Sequence, residues 1–426
     1  MLGQVNKKSR ATRKNLYNGN ATDQTTGGFE MLYKDFSAEL LGLQGAIVTE
    51  VVDTDGLLCI CVELPRKEHT CPACGTQTAV IHDYRMQQIK DIPAFGKKVR
   101  LRLRKRRYRC TCGKRFFETN TWLPRYRRMT NRVGMAVINE LSGVGSYTSV
   151  AKKFSLSVTT VQRIFDLVSY PKPTMPQVLA IDEFKGNTGG EKFNVILTDP
   201  EKGVVLDILP KRYGTYLSDY FSSIRREERK KTNYFVSDMW DAYVDSAAVY
   251  FRNASHVVDR FHWIRQGIQA FEEVRKQEQK LLGEALRKKT KHCRFLLLKR
   301  YADLPEEKKR RADAILEASP RLSSAHFLKE GLLRISDEEN AEQAVKQLCE
   351  WISMAETSGL QPFADCAKTY HNWSVGITNS LRCSYSNGFT EGCNNKIKVL
   401  KRNAYGLRNF PRFRNRILHI FAHQHT

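Results

Sequence analysis

Two close pairs of cysteines place the strongest restraint on how this chain can fold. Cys71 and Cys74 form a C-x-x-C pair in HTCPACG, and Cys110 and Cys112 form a C-x-C pair in RYRCTCGKRFF. Each pair lies beside a glycine, which permits the tight turn of a metal knuckle. The pattern predicts one structural Zn²⁺ ion held by four thiolates, so the two segments must meet. His69 could replace one ligand, and four unrelated buried thiols are the alternative interpretation.

The segment around these cysteines is strongly basic. Residues 97 to 128 contain 14 Lys and Arg and one acid, a net charge of +13 (14 − 1), with aromatic residues between them. So dense a charge repels itself unless a polyanion neutralises it, which favours nucleic acid as the partner. The run KKVRLRLRKRRYRC alternates apolar and basic residues and predicts a strand with a basic face. The predicted phosphate contacts in this segment are Arg102, Arg104, Arg106, Arg107, Lys114 and Arg115.

The whole chain shares this charge bias. Its 426 residues include 70 Lys and Arg and 45 Asp and Glu, a net charge of +25. A membrane surface would also attract such a charge, but the sequence has no run of about 18 apolar residues and no signal peptide at its start. The seven cysteines outside the two pairs are scattered, which suits a reducing compartment. We therefore expect a cytoplasmic, nucleoid-associated protein without a membrane partner.

Hydrophobic periodicity and turn residues divide the chain into segments. Between residues 177 and 262 the order is three strands in a meander, a helix, a strand, a helix and a strand, which is the order of a ribonuclease-H-like sheet. The fold class is therefore multidomain α+β. The predicted segments are a flexible basic leader (1–34), a zinc-binding DNA-binding module (35–128), a helix-turn-helix (129–170), a Pro-rich linker (171–176), the first part of the α/β core (177–262), an all-helical insertion (263–380) and the completion of the core (381–426).

The run SYTSVAKKFSLSVTTVQRIFDLV predicts a pair of short helices. The turn lies near Leu156, and Ser157 is the expected N-cap of the second helix. Helix pairs are common, so the evidence for a DNA-reading pair is its place between a basic module and a Pro-rich linker. The second helix would then offer Thr159, Thr160, Gln162 and Arg163 to a DNA groove.

Three acidic residues follow apolar runs or begin a helix. Asp182 follows the run VLAI, Asp238 follows the strand-like run YFVS, and Glu391 lies in the first turn of the helix predicted in SNGFTEGCNNKIKVLKR. An ionised carboxylate is costly to bury, so acids that converge need a cation. Mg²⁺ prefers carboxylate oxygens, and two such ions can hold the attacking and leaving oxygens of a phosphodiester. The sequence therefore predicts a site with two Mg²⁺ or Mn²⁺ ions.

Neighbouring residues leave this assignment open in part. Glu183 competes with Asp182 and Asp241 with Asp238, although Glu183 must point to the opposite face of a strand. Asp259 and His262, in VVDRFH, follow another predicted strand and are secondary candidates for the same site. A structural Asp–His pair is the alternative for those two. On the helix of Glu391, Lys398 and Arg402 are predicted to contact DNA phosphate or to form a solvated helix face.

The motifs of this chain, in their order, resemble one family of proteins. CPACG, RYRCTCGKRF, IDEF, SDMW, VVDRFHWIR and NGFTEGCNNKIKVLKR are similar to the motifs of DDE transposases of the ISL-three family of bacterial insertion sequences, over residues 40 to 420. The resemblance implies that Asp182, Asp238 and Glu391 form a catalytic triad on a ribonuclease-H-like core. Their spacings are 56 (238 − 182) and 153 (391 − 238) residues, and the second leaves room for the helical insertion.

The leading hypothesis is a transposase that binds terminal inverted repeats through residues 40 to 170. It would use metal-activated water to cut a strand at the element end, and the freed 3′-OH to attack target DNA. Because transposition joins two ends, a homodimer or larger assembly on DNA is expected. The alternative is a catalytically inactive, transposase-derived DNA-binding regulator. A ribonuclease acting on RNA is disfavoured because it would not need so large a sequence-reading module.

Overall fold

A computed structural model of the chain describes residues 42–281, 293–404 and 406–423. The predicted leader, residues 1–34, lies outside them. The described residues form an N-terminal sheet, a unit of three helices, a central sheet and a large group of helices. Over these ranges no helix is both long enough and apolar enough to cross a lipid bilayer.

The N-terminal sheet contains the predicted basic strand. The strands of this region are β1 (Ile47–Thr54), β2 (Leu57–Glu63), β3 (His69–Thr70), β4 (Gln77–Thr78), β5 (Ile81–Ala94), β6 (Lys97–Arg109) and β7 (Arg115–Phe117), of which β3 and β4 form a separate hairpin. The sheet has the order β1-β2-β6-β5, with β7 beside β6, and β2 and β6 are parallel. Along β6, Val99, Leu101 and Leu103 are buried in the core of the sheet, and Arg102 and Arg104 are exposed, as the alternation predicts.

The prediction that Arg106 contacts DNA is wrong. Arg106 lies on the same face of β6 as the exposed arginines, but it is only 6% exposed because the chain after β2 covers that end of the sheet. Its guanidinium donates a hydrogen bond to the carbonyl of Leu64 and lies 3.3 Å from the carboxylate of Glu63 and 3.5 Å from that of Glu118. Arg106 therefore neutralises buried acids and cannot reach a phosphate.

The predicted helix pair is present, with a third helix packed against it. The helices are α1 (Asn131–Glu140), α2 (Tyr147–Phe154) and α3 (Val158–Phe165), and they share one apolar core. Ser157 caps α3 as predicted, because its hydroxyl accepts a hydrogen bond from the backbone N–H of Thr160 at 3.2 Å. Of the residues predicted to face DNA, Thr159 and Arg163 are exposed, and Thr160 and Gln162 are half-buried.

The central sheet follows the predicted order of elements. Its strands are β8 (Val178–Thr188), β9 (Glu191–Asp199), β10 (Val204–Leu209), β11 (Tyr234–Ser237) and β12 (Ser255–Val258). They pair in the order β10-β9-β8-β11-β12, with an antiparallel meander on one side and two strands parallel to β8 on the other. The helices between them are α4 (Gly214–Ser222), α5 (Arg226–Arg229) and α6 (Asp241–Tyr250).

One helix in this region differs from the prediction. The sequence predicts a single helix over residues 214 to 230, but the structure divides it into α4 and α5. The hydroxyl of Ser223 donates to the carbonyl of Tyr220, and the guanidinium of Arg229 donates to the carbonyl of Ile224 at 3.1 Å. These side chains satisfy carbonyls that a continuous helix would pair with backbone N–H groups.

The chain then leaves the sheet for a group of seven described helices. They are α7 (Arg260–Leu281), α8 (Cys293–Leu298), α9 (Glu306–Glu317), α10 (Pro320–Asp337), α11 (Ala341–Thr357), α12 (Gln361–Asn372) and α13 (Ser374–Arg382). Their common core contains Trp263, Phe271, Trp351 and Tyr370. Gly376 of α13 lies directly against Val258 of β12, so this group of helices packs on the edge of the central sheet.

Two last helices complete the other face of the central sheet. They are α14 (Gly388–Ala404) and α15 (Phe410–Ala422). On one face, Leu179 and Ile181 of β8 pack with residues of α4 and α6. On the other face, residues of α14 and α15 pack on Ile196 of β9 and Ile208 of β10. The sheet is therefore buried on both faces, which explains why its strands have continuous apolar sequences.

Helix α15 also holds the three-helix unit against the central sheet. Arg416 is 1% exposed, and its guanidinium donates to the carbonyls of Gly143 at 3.0 Å and Gly145 at 2.8 Å, in the loop before α2. The same guanidinium lies over the rings of Tyr147 and Phe165. Burial lowers the pKa of Arg416 to about 10. One buried cation thus links α15 to α2 and α3.

We expect Arg416→Ala to lower the free energy of unfolding by about 2–4 kcal/mol, because the carbonyls of Gly143 and Gly145 lose their donor and the buried side chain leaves a cavity. Arg412→Ala is the matched control, since Arg412 lies on the same helix but forms an ion pair with Asp166 at 2.7 Å near the surface. Its loss should cost at most about 1 kcal/mol. Urea unfolding measures both changes, and equal losses would contradict the assigned role of Arg416.

Candidate active site

The apolar run before Asp182 predicts a strand that ends at this residue. In the structure, β8 continues beyond Asp182 to Thr188. Its pairing with β11 stops at Ala180, whereas its pairing with β9 continues on the other side. β11 has only four residues and ends at Ser237. Asp182 therefore lies inside a strand, at the point where one neighbouring strand has ended. The partner strands decide this, and their lengths cannot be read from the apolar run that precedes Asp182.

The two consecutive acids of β8 point to opposite faces of the sheet. Asp182 is 7% exposed, and its carboxylate accepts hydrogen bonds from Asn394 of α14 at 2.9 Å and from the backbone N–H of Glu183 at 2.7 Å. The carboxylate of Glu183 accepts hydrogen bonds from Arg212 at 2.7 and 2.9 Å. Glu183 thus has a cationic partner, while Asp182 has only neutral donors among these hydrogen bonds.

Asp182 belongs to a group of three possible metal ligands. One carboxylate oxygen of Asp182, one of Asp238 and a ring nitrogen of His262 all lie within 4.8 Å of one another. Asp238 directly follows β11, as predicted, and His262 is in the first turn of α7. Within the described residues, the buried Oδ1 of Asp238 has no hydrogen-bond partner. The two carboxylates, one of which has an oxygen without a hydrogen-bond partner, and the imidazole form a set of ligands that suits a divalent cation.

Asp259, a secondary candidate, connects the parts of this site. It is 2% exposed and directly follows β12. Its backbone N–H donates to the carbonyl of Ser237 at 2.8 Å, and its carboxylate accepts from the backbone N–H of Asn387 at 3.1 Å. Its second oxygen lies 3.8 Å from Nε2 of His262. Asp259 therefore joins the ends of β11 and β12 to the residue before α14, and it faces the imidazole.

Glu391 lies near this group but not within it. It is half-buried in the first turn of α14, as predicted, and its charge contributes to raising the pKa of Asp182. The adjacent Thr390 contacts Thr198 of β9 through their hydroxyls at 2.8 Å, and Asn387 donates to the carbonyl of Ile181 at 3.3 Å. The structure thus brings the third predicted acid into electrostatic range of Asp182 without placing it among the three closest ligands.

Burial makes the acids of this site reluctant to ionise. It raises the pKa of Asp182 to about 7, and the neighbouring carboxylates of Asp238, Glu183 and Glu391 add to that effect. Burial also raises the pKa of Asp238 to about 6, although the nearby His262 opposes the shift. Several carboxylates in one low-dielectric pocket cannot all carry charge without a counterion. A bound divalent cation would keep them ionised at neutral pH.

The four predicted zinc ligands form a second cluster, distant in sequence from the acids. The sulfur atoms of Cys71, Cys74, Cys110 and Cys112 all lie within 4.8 Å of one another. Gly75 and Gly113 follow the two pairs with φ of 77° and 86°, which allows each knuckle to turn tightly. His69 is not part of the group, because its ring packs on Tyr108 at 4.6 Å. The cluster and its donor type suggest zinc.

Most other predicted DNA contacts are accessible to a ligand. Arg107 is half-buried, and its guanidinium lies 3.5 Å from the carboxylate of Asp83. Sequence reasoning missed Arg212 and the contact from Asn394, because their partners are far away in the chain and no local spacing indicates them. The exposed predicted contacts are Arg102, Arg104, Lys114, Arg115, Thr159, Arg163, Lys398 and Arg402. Their role at DNA stays a prediction.

Three family models match the chain in the order of its structural units. The zinc-finger of transposase IS204/IS1001/IS1096/IS1165 matches residues 67–112, and the helix-turn-helix domain of transposase family ISL3 matches residues 118–169. The model described as the transposase itself, of the ISL3 DDE class, matches residues 179–417. The third match covers 239 residues (417 − 179 + 1), which is more than half of the 426.

Curated proteins that are similar to this chain include two transposases. The chain is 28% identical over 391 residues to the transposase for insertion sequence element IS1001 of Bordetella parapertussis, covering 89% of this chain and 96% of that protein. It is 31% identical over 127 residues to the transposase for IS1557 of Mycobacterium tuberculosis, covering 30% and 28%. A protein described as an ATP-dependent protease of Lactococcus lactis is 38% identical over 106 residues, covering 25% and 33%.

We expect the purified chain to contain about one zinc ion, and Cys74→Ser to lose it, because three thiolates hold zinc far less tightly than four. Cys59→Ser is the matched control, since Cys59 is half-buried on β2 of the N-terminal sheet and outside the cluster. Elemental analysis of both variants measures the zinc content. Retention of zinc by Cys74→Ser would contradict the assigned ligand set.

In the absence of divalent cations, we expect Asp182→Asn to raise the melting temperature at pH 8. The pKa of Asp182 is about 7 in the folded protein and about 3.9 in an unfolded chain. Between these values the folded state binds more protons, so wild-type stability falls as the pH rises through this window. The advantage of the variant should therefore shrink as the pH falls, and it should disappear below about pH 3, where Asp182 is protonated in both states.

Thermal melts in chelator at pH 5 and pH 8 measure this dependence. Asp241→Asn is the control, because Asp241 is an exposed acid close to Asp238 in sequence. Added Mg²⁺ should stabilise the wild type more than Asp182→Asn. An equal effect of the Asp182 substitution at both pH values would show that the buried charge does not govern stability here.

Proposed function

This chain belongs to the ISL3 (ISL-three) family of transposases, and on that premise we propose that it cuts and joins DNA with Asp182, Asp238 and Glu391 as its catalytic acids. The observation that carries the proposal is the meeting of Asp182 and Asp238 beside His262, with ligand atoms within 4.8 Å of one another, in a partly buried cluster that we call the acid pocket. The two acids are 56 positions apart (238 − 182) and lie on different strands. Glu391, which the sequence places much further along the chain, contributes charge at the same pocket.

We infer that the central sheet and its helices form a ribonuclease-H-like catalytic core. The strand order β10-β9-β8-β11-β12, with a meander followed by two strands parallel to β8, supports this assignment. Helices α7 to α13 would then be an insertion between the second and third acids. The proposed division of the chain keeps the predicted segments, with the zinc module over residues 35–128, the helix-turn-helix over residues 129–170 and the completion of the core from residue 381 onward.

The residues of the pocket have distinct proposed roles. Asp182, Asp238 and Glu391 would hold two Mg²⁺ or Mn²⁺ ions, which when bound neutralise the transferred phosphoryl group and activate a water or a 3′-OH. Asn394 orients the carboxylate of Asp182 through its hydrogen bond. Asp259 faces the imidazole of His262 and favours the orientation that directs a ring nitrogen at the acids.

The N-terminal modules would bind the terminal inverted repeats of the element. The exposed arginines of β6 supply contacts to phosphates, and Thr159 and Arg163 of α3 lie at positions that can enter a major groove. The zinc ion would be structural, since all four ligand positions of its site are thiolates. Because two ends must be joined, we propose a homodimer or larger assembly on DNA.

We expect the wild-type protein with Mg²⁺ to nick DNA that carries the element ends, and Asp182→Ala to abolish nicking. Asp182→Ala removes a carboxylate that no neighbouring residue replaces, and losses of at least about 100-fold are expected for such a ligand. Asp241→Asn, the exposed neighbour of Asp238, should keep activity close to that of the wild type. Gel analysis of end-labelled DNA measures both the nick and its strand.

Cleavage by Asp182→Ala at the wild-type rate would refute the assignment of the pocket. A different result would favour the alternative function. If the wild type binds end DNA tightly but never cuts it, even with Mn²⁺ or with precut ends supplied for joining, the chain is a DNA-binding regulator derived from a transposase.

A further inference from the structure

Two exposed aromatic side chains belong to residues that are close in sequence to members of the acid pocket. Trp240 is two residues after Asp238 and is 41% exposed, and Phe261 directly precedes His262 and is 49% exposed. Each aromatic residue is therefore carried by the same short segment as one of the three clustered ligands. Large aromatic side chains normally bury most of their surface, so two exposed rings beside a candidate catalytic site suggest a ligand that binds there.

The ring of Trp240 is held in place by a cation. The guanidinium carbon of Arg212 lies 4.5 Å from the centre of the indole and 4.7 Å from the centre of the Phe193 ring. Glu183 fixes this guanidinium with the hydrogen bonds described above. The indole is thus oriented by a fixed arginine, and it still leaves much of its surface exposed to solvent. A rigid aromatic surface loses little entropy when a flat ligand stacks on it.

Phe261 is exposed for a different reason, which is its position on α7. Trp263 and Phe271 on this helix belong to the core of the helical insertion, whereas Phe261 and Arg265, four residues apart, lie on the outer face. The guanidinium carbon of Arg265 is 5.9 Å from the centre of the Phe261 ring. The ring also contacts the imidazole of His262 edge-on, with 5.6 Å between centroids. Both aromatic residues therefore pair with an arginine.

We propose that Trp240 and Phe261 bind unpaired nucleobases on either side of the DNA bond that is cut. The inference rests on the proposed function and adds that the DNA bases next to the cleaved bond must be unpaired. In a regular duplex every base is paired and stacked inside the helix, so a base can stack on these rings only after it has left its pair. Aromatic rings stack with any base, because every base has a flat π-face, and single-strand-binding proteins bind their ligands by such contacts.

The arginines fit this ligand better than they fit a protein partner. Arg265 is exposed beside Phe261 and can attract the phosphate that adjoins a splayed base, whereas Arg212 is paired with Glu183 and orients the indole. A second protein bound over both rings would cover the region between Asp238 and His262. That region has to admit DNA for the proposed chemistry, so nucleobases are the occupants that agree with it.

The test compares cleavage of fully paired end DNA with cleavage of the same DNA carrying mismatches at the cleavage position. Trp240→Ala and Phe261→Ala should each cut paired DNA on the order of 10- to 100-fold more slowly than the wild type. Mismatched DNA, in which the bases are already unpaired, should restore most of the lost rate. Trp240→Phe keeps an aromatic face and should cut paired DNA at a rate close to that of the wild type.

Phe327→Ala is the matched control. Phe327 is also exposed, at 56%, with the guanidinium carbon of Arg334 at 6.0 Å, but it lies on α10 and next to none of the clustered ligands. The Phe327→Ala variant should cut paired and mismatched DNA at the wild-type rates. Wild-type rates for both alanine variants on paired DNA would overturn the inference. The same loss on paired and mismatched DNA would also overturn it, because a merely structural role predicts that result.

A second readout does not depend on cleavage. End DNA with 5-iodouracil beside the cleavage position is bound to the Asp182→Ala protein and irradiated, and crosslinked peptides are identified by mass spectrometry. We expect crosslinks to Trp240 and Phe261, and their loss in the corresponding alanine variants. Crosslinks confined to other segments would overturn the inference. If the wild type cuts no DNA at all, the proposed function fails, and the crosslinks still decide whether these rings bind bases.

Discussion

The mutual repulsion of buried carboxylates is the constraint on which the organisation of this core depends. Asp182, Asp238 and Asp259 are at least half-buried at the ends or edges of central strands, where ionisation is disfavoured. Three helices, α6, α7 and α14, begin next to these acids. The positive end of each helix dipole contributes about 0.3–1 kcal/mol to the stability of a nearby anion. Such partial charges reduce the repulsion but do not neutralise whole negative charges. The remaining negative charge favours the binding of divalent cations.

The sequence predicts those features that local chemistry determines. The cysteine pairs meet because zinc ligation restricts residue type and spacing, and Ser157 caps α3 because an N-cap is a local interaction. The strand and helix order of the central sheet follows from apolar runs separated by polar turns. Asp238 and Asp259 follow their strands as expected, since β11 and β12 are short and buried.

Features determined by distant partners could not be predicted in this way. β8 continues past Asp182 because β9 pairs with it, and the length of β9 leaves no mark in the sequence around Asp182. Arg106 follows the same alternation as its exposed neighbours, yet segments far along the chain bury it. The arginine that binds Glu183 is 29 residues away, so the separation of the two adjacent acids into different environments is visible only in the folded chain.

The position of α14 has a consequence for the time at which the protein can become active. β8 and β11 leave the ribosome first, whereas Glu391 and Asn394 follow after the seven described helices α7 to α13. A nascent chain that ends before α14 therefore lacks both the third predicted acid and the amide that donates to Asp182. On the proposed function, such an incomplete polypeptide would hold only part of the metal site.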